Sequence, residues 1–145
     1  MVFVSATRLR LRSPLYLPMF LWHTFLTRQQ VINLPGFLGG KLLADRNFVY
    51  WTLTVWEEQT AMQIMRQKGA HKQVMPKIQD WCDESVFVHW RQEAKEIPSF
   101  VEVHQRMMRE GIFTRLAQPS SAHLHKQIPA PKLSKTSGFW LHPKK

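Results

Sequence analysis

Three histidines have settings from which a side chain could act on a bound molecule. His23 lies in an apolar stretch with helical spacing, His71 sits between Ala70 and Lys72 at the start of a helix, and His89 precedes Trp90 in a β-type run. Imidazole titrates near neutral pH, so each can move a proton, accept a hydrogen bond or ligate a metal. Each can equally pack or cap locally. The aromatic side chains Trp22, Tyr50, Trp51 and Trp56 could wall a flat apolar ligand or simply fill a core. His123 and His125 are two apart and His142 is alone, without a neighbouring carboxylate or thiolate, so no metal site is expected there. The single cysteine, Cys82, excludes an intramolecular disulfide and a multi-thiolate zinc site, and it fits a reducing compartment. No Ser/His/Asp order, nucleotide-binding glycine loop or telling carboxylate pair is present. Glu57-Glu58 reads as a helix start, where negative charge offsets the helix dipole.

The elements that must position these residues follow from periodicity. Val2 to Arg12 alternates with period two and reads as a strand. Ser13-Pro14 caps and opens a helix over 14–33, with Leu15, Met19, Trp22, Phe25, Leu26 and Ile32 at helical spacing and Leu34-Pro35-Gly36 as its stop. Phe37 to Ala44 is a strand in which Gly39-Gly40 marks a bulge or a close approach. Phe48 to Trp56, rich in aromatic and β-branched residues, is the strongest strand. Glu57 to Lys68 is helical and stops at Gly69, and Ala70 to Trp81 is a second helix with Pro76 as its weak point. Ser85 to Trp90 is the fourth strand, and Pro98-Ser99 opens an amphipathic helix that ends at Gly111.

The order is β-α-β-β-α-β, so the predicted fold class is α+β with a ferredoxin-like sheet, extended by a C-terminal helix. Residues 1–111 form this domain. Residues 112–145 carry no helical or strand period from position 117 on and read as an extended, proline-containing basic arm. Both alternating sets of the strand Phe48 to Trp56 are largely apolar or aromatic, as are those of the fourth strand. A sheet with one wet face would alternate cleanly. Helices can cover one face, and the other is expected to meet the same sheet of a second subunit, giving a homodimer.

The chain has 145 residues, 44% of them hydrophobic, with six Trp and nine Phe, which is enough for a core and excludes wholesale disorder. The net charge of +10 is uneven. Residues 1–44 carry Arg8, Arg10, Arg12, Arg28 and Lys41 and no acid, residues 45–110 hold all ten acids, and 111–145 again have none. The basic arm 112–145 could meet an acidic protein, with Ile128 to Leu133 as a docking segment pre-ordered by proline. Nucleic acid is the weaker reading, because no RNA-binding motif or arginine-rich block accompanies the charge. The apolar run Leu15 to Trp22 after three arginines holds Pro18 and lacks a cleavage pattern. It is also far below the roughly 20 residues of a membrane span, so a cytoplasmic chain without a transmembrane segment is expected.

The strand Phe3 to Leu9, the helix end Leu34 to Phe37, the strand end Thr54 to Glu57 and the sequence Gly69-Ala70-His71-Lys72 together resemble the dimeric α+β barrel superfamily over about residues 2–92. That superfamily includes antibiotic-biosynthesis monooxygenases and heme-degrading monooxygenases. The stretch from Tyr50 to His71, with Met75, Trp81 and His89-Trp90, looks most like a branch related to spheroidene monooxygenase. The resemblance implies a monooxygenase-like homodimer that binds a hydrophobic ligand, a polyene or a tetrapyrrole, with no cofactor or with heme. The axial heme ligand of the heme-degrading members falls at His71, the candidate catalytic or cofactor-binding residue. Their strand Asn and helix Trp correspond to Thr7 and Met65, and both differ from the pattern. The ligand pocket implied for the cofactor-free members would draw on Thr7, Trp22, His23, Tyr50, Trp51, Trp56, Met65 and His89. The alternative reading is a non-catalytic binding or assembly factor whose basic arm docks on a protein or nucleic-acid partner.

Overall fold

The computed structural model describes residues 1–132 and 138–144. Leu133, the last residue of the expected docking segment, and Lys145 lie outside the described residues. Six strands, β1 (Val2–Leu11), β2 (Phe37–Ala44), β3 (Val49–Trp56), β4 (Cys82–Gln92), β5 (Ile112–Phe113) and β6 (Gly138–Leu141), form one sheet in the order β5-β4-β1-β3-β2-β6. All its pairings are antiparallel. The central four strands have the ferredoxin-like arrangement, as expected. The helices are α1 (Leu17–Ile32), α2 (Gln59–Gln67), α3 (Gly69–Trp81), α4 (Phe100–Glu110) and the single turn α5 (Ser121–Leu124).

Local chemistry explains the boundaries. The Ser13 hydroxyl accepts the Leu15 N–H at 3.2 Å and starts a 3-10 turn, Pro14–Tyr16, that feeds α1. Pro18 sits in the first turn of α1, where a missing N–H breaks no bond. Helix α3 runs unbroken through Pro76. Ser99 caps α4 by accepting the Glu102 N–H. At Gly40 a Cβ would lie 2.3 Å from the Leu53 carbonyl oxygen, so only glycine lets β2 approach β3 this closely. The β2–β3 register shifts next to it, between Phe37 and Gly39, as the glycine pair suggested.

The sheet has two buried faces, each with its own cover. Helices α1, α2 and α3 lie over one. The opposite face presents Val4, Ala6, Trp51, Leu53, Val55, Val86 and Val88, all buried in a single core with Phe100, Val103 and Met107 of α4 and with Ile128. The second face therefore does not wait for another subunit. The chain's own α4 and C-terminal segment fill it, which corrects the reasoning that led from two apolar faces to a sheet-to-sheet dimer.

The segment after Gly111 also differs from an extended arm. It supplies β5, α5 and β6 to the domain. The buried His123 ring accepts the Ser85 N–H at Nδ1 and donates from Nε2 to the Thr114 carbonyl at 3.0 Å. His104 on α4 donates from Nε2 to the Ile128 carbonyl at 2.7 Å, and the Lys132 N–H reaches the Asp45 carboxylate. Strand β6 pairs with β2 and buries Leu141. Short irregular elements joined by single buried anchors leave no periodicity to read. Among the described residues, no helix is long and apolar enough to cross a membrane.

Candidate functional site

A cavity of about 300 Å³ opens between the sheet and helices α1, α2 and α3. Its floor comes from the strand positions of one parity. In register, Ser5 faces Thr54 on one side and His89 on the other, while Thr7 faces Thr52 and Phe87. Two rows thus cross the sheet, His89–Ser5–Thr54 and Phe87–Thr7–Thr52, and all six residues line the cavity. Helix α1 contributes Phe20, His23, Thr24, Thr27 and Arg28 to the roof, α2 contributes Met65 and Arg66, and α3 contributes His71, Val74 and Ile78. Thr114 and Leu141 close it from the C-terminal segment.

His71 is presented by the turn between α2 and α3. Gly69 adopts φ +62°, the left-handed conformation that reverses the chain there. The Gln30 side chain ties this turn to α1. Its Nε2 donates to the Met65 and Lys68 carbonyls, and its Oε1 accepts the His71 N–H at 3.1 Å. Burial, and secondarily the positive charge of Arg66, push the His71 pKa down to about 4, so the ring is neutral at pH 7. Its Nδ1 is buried without a hydrogen-bond partner among the described residues. His89 is likewise lowered by burial and then by Arg66. His23 is lowered by burial and then by Lys77, whose Nζ lies 3.4 Å from Nε2, a pair that requires neutral imidazole as the acceptor.

The electrostatics are one-sided. Among the described residues no Asp or Glu lines the cavity, and neither Arg28 nor Arg66 makes an ion pair. Two guanidinium groups, three imidazoles held toward neutrality and a row of hydroxyls face an otherwise apolar space. Such a site attracts negative charge and offers donors to it.

Of the residues expected at the pocket, the structure brings together Thr7, His23, Met65, His71 and His89. It places four elsewhere. Trp51 has the opposite strand parity and is buried on the far face, edge-on to Phe100. Trp56 shares the cavity's side of the sheet but is sealed beneath Phe37, Met62 and Met65. Tyr50 packs on Phe20 beside the cavity, with ring centroids 4.8 Å apart. Trp22 points away from the domain and is 56% exposed. The sequence reading missed Arg28, Arg66 and, apart from Thr7, the hydroxyl floor. The floor had a signal, because Ser5, Thr7, Thr52 and Thr54 alternate with apolar residues along β1 and β3. Nothing local marked the two arginines.

His71 is the imidazole that could ligate a heme iron here. A cavity of about 300 Å³ lies at the lower end of the range for small-molecule sites, a size that suits a few fused rings better than a whole porphyrin. Among the described residues no group of three or more His, Cys, Asp or Glu is placed to hold a metal ion. Cys82 is buried, and burial together with Asp83 pushes its thiol up to about 12, which leaves it inert.

The antiparallel ferredoxin-like sheet with helices on it is an α+β fold shared with solved structures described as antibiotic biosynthesis monooxygenases. Among solved structures, the chain is similar to SnoaB, a cofactor-independent oxygenase from Streptomyces nogalater, at TM-score 0.54 and 15% identity over 64% of this chain and 94% of that one. It is also similar to a protein from Nitrosomonas europaea provisionally described as an antibiotic biosynthesis monooxygenase, at TM-score 0.57 and 13% identity over 63% and 90%. A further antibiotic biosynthesis monooxygenase matches at TM-score 0.56 and 15% identity over 65% and 100%. Identities this low show the fold alone, and about a third of this chain has no counterpart in these structures. No protein-family model matches the chain, and no curated protein does either.

Proposed function

We propose that the protein binds a flat, largely apolar molecule bearing an anionic group in this cavity and acts on it as a cofactor-free monooxygenase. The observation that carries the reading is a set of polar groups, Arg28, Arg66, His71, His89 and the Ser/Thr floor, around an apolar space without a carboxylate among the described residues. Shape selects rings, and the two guanidinium groups select the charge. The similarity to SnoaB, named as a cofactor-independent oxygenase, supports the reaction class. Without a cofactor the substrate must itself reduce O2. An activated CH2 group loses both hydrogens, one oxygen atom enters as a carbonyl, and the other leaves as water. His71, neutral above about pH 4, is suited to accepting a hydrogen bond from the ligand and is too weak a base to remove its proton. Pairing of two chains enters the proposal only through a surface other than the filled sheet face. The lone buried thiol fits a cytoplasmic setting.

The test is calorimetric titration with 1-hydroxy-2-naphthoate and with neutral 1-naphthol. The anion is expected to bind more tightly, and Arg28→Gln with Arg66→Gln to weaken it about tenfold or more, the loss of a charge-assisted hydrogen bond of about 1.5–3 kcal/mol. Naphthol binding stays within about threefold. Equal affinities for the two ligands, or loss of both in the variant, would remove charge selection. Hemin is expected to give no saturable Soret shift that depends on His71. Such a shift, abolished by His71→Ala, would make this a heme protein instead.

A further inference from the structure

We propose that the outward stripe of the first helical segment docks the protein on an anionic lipid bilayer. Helix α1 has two unlike sides. Its inner side roofs the cavity with Phe20, His23, Thr24, Thr27 and Arg28, and the outer side of its first half is apolar and has no cover among the described residues. All the exposed residues between positions 14 and 25 are apolar: Pro14, Leu15, Pro18, Met19, Leu21, Trp22 and Phe25. Leu15 is 85% exposed, and the Trp22 and Phe25 rings stack on each other at 5.9 Å instead of packing into the domain. Soluble surfaces scatter such residues singly, whereas a continuous patch marks an interaction site.

Charge decides the occupant. Over 12–32 and 69–81, the helical segments that pack together here, the cations are Arg12, Arg28, Lys72 and Lys77, and the one acid is Asp80. Lys72 and Lys77 are exposed. A second copy would bring the same cations against these and add its own net charge of +10, so repulsion opposes self-pairing. An anionic surface is attracted. The stripe itself has almost no hydrogen-bonding capacity beyond the Trp22 indole N–H, which matches the boundary between headgroups and acyl chains. Leu and Phe side chains enter the hydrocarbon edge, Trp22 lies at the interface, and Lys72 meets anionic headgroups. The docking is shallow and does not span the membrane. It stands independently of the ligand proposed above, although it would set the cavity one helix-width from a source of apolar molecules.

The full chain is mixed with phosphatidylcholine vesicles with and without phosphatidylserine, and binding is read by flotation. The wild type is expected to float with the phosphatidylserine vesicles, more weakly at high salt, and to bind phosphatidylcholine poorly. Leu15→Gln combined with Trp22→Gln and Phe25→Gln should lower the partition coefficient at least about tenfold while the circular dichroism and melting temperature hold. Lys72→Gln should lower the phosphatidylserine preference alone. No flotation of the wild type, or flotation unchanged in the folded triple variant, overturns the proposal. A dimer in sedimentation that the triple variant dissolves would assign the stripe to a second copy. Equal retention on poly-glutamate beads, lost in the same variant, would assign it to an acidic polypeptide.

Discussion

Ending the chain at Gly111 is expected to unfold or nearly unfold the whole domain. The removed segment carries Ile128, buried in the core with Trp51 and Val103, and Leu141, buried with Phe37 and Trp56. Each such side chain contributes about 1.5–3 kcal/mol by leaving water. Truncation also strips β6 from β2 and β5 from β4, so both outer strands lose their edge partners. It removes the His123 ring from the Ser85 N–H and the Ser120 hydroxyl from Glu84, which leaves polar groups that the folded sheet had satisfied. The total loss, about 5 kcal/mol or more from the two side chains and these bonds, rivals the roughly 5–15 kcal/mol that holds a domain of this size. Urea unfolding followed by near-UV circular dichroism measures it. Ile128→Ala gives a graded version, expected to cost about 2–5 kcal/mol. A truncated chain with the wild-type midpoint would mean that residues 112–145 are a detachable arm after all.

That prediction runs against the reading of 112–145 as an arm, and the reason shows what a sequence of this kind discloses. The strands and long helices were legible because each repeats a choice over many residues, as Val49, Trp51, Leu53 and Val55 do against Tyr50, Thr52, Thr54 and Trp56. The C-terminal segment makes its choices once each, at His123, Ile128 and Leu141, so it leaves no period. The site was half legible for a related reason. Once β1, β3 and β4 are paired, parity decides that Thr7 and His89 share a face and that Trp51 does not. Two apolar parities could not say which face carried the cavity. Helix α1 was harder still, because apolar residues fall on both its inner and its outer side. Trp22 was therefore expected inside, and Arg28, which does line the cavity, was passed over. What covers the second face was a question of packing between distant segments, and α4 answered it.

Glu84→Gln should destabilise the protein by about 3–5 kcal/mol, the cost of leaving a buried charge without its partner. Arg8 and Glu84 sit on neighbouring strands β1 and β4, with side chains 5% and 8% exposed, and their Nη1–Oε1 distance is 2.7 Å. Arg8 also lies over the Trp51 ring, 5.6 Å from its centroid, on the face that α4 covers. The converse variant, Arg8→Leu, is expected to cost less. Glu84 would still have Arg10 at 3.3 Å and the Ser120 hydroxyl at 2.9 Å, whereas Arg8 has no second carboxylate among the described ion pairs. The same arrangement sets an acid limit. Burial alone would raise the Glu84 pKa, but the hydrogen bonds from Arg8 and Ser120 and the charges of Arg8 and Arg10 outweigh it, and the net shift is downward. A carboxylate held below its unfolded value stabilises the fold fully above that unfolded value, near about pH 4.3 for a free Glu, and the contribution is lost as pH falls through the lower, folded value. Asp83 beside it is shifted the other way, chiefly by burial, so it stays protonated to higher pH and offsets part of this dependence. Stability measured by urea titration from pH 7 down to pH 3 should therefore fall more steeply in the wild type than in Glu84→Gln, and the gap between the two curves should narrow toward the acid end. Parallel curves would mean that the Arg8–Glu84 pair contributes no net charge coupling to the fold.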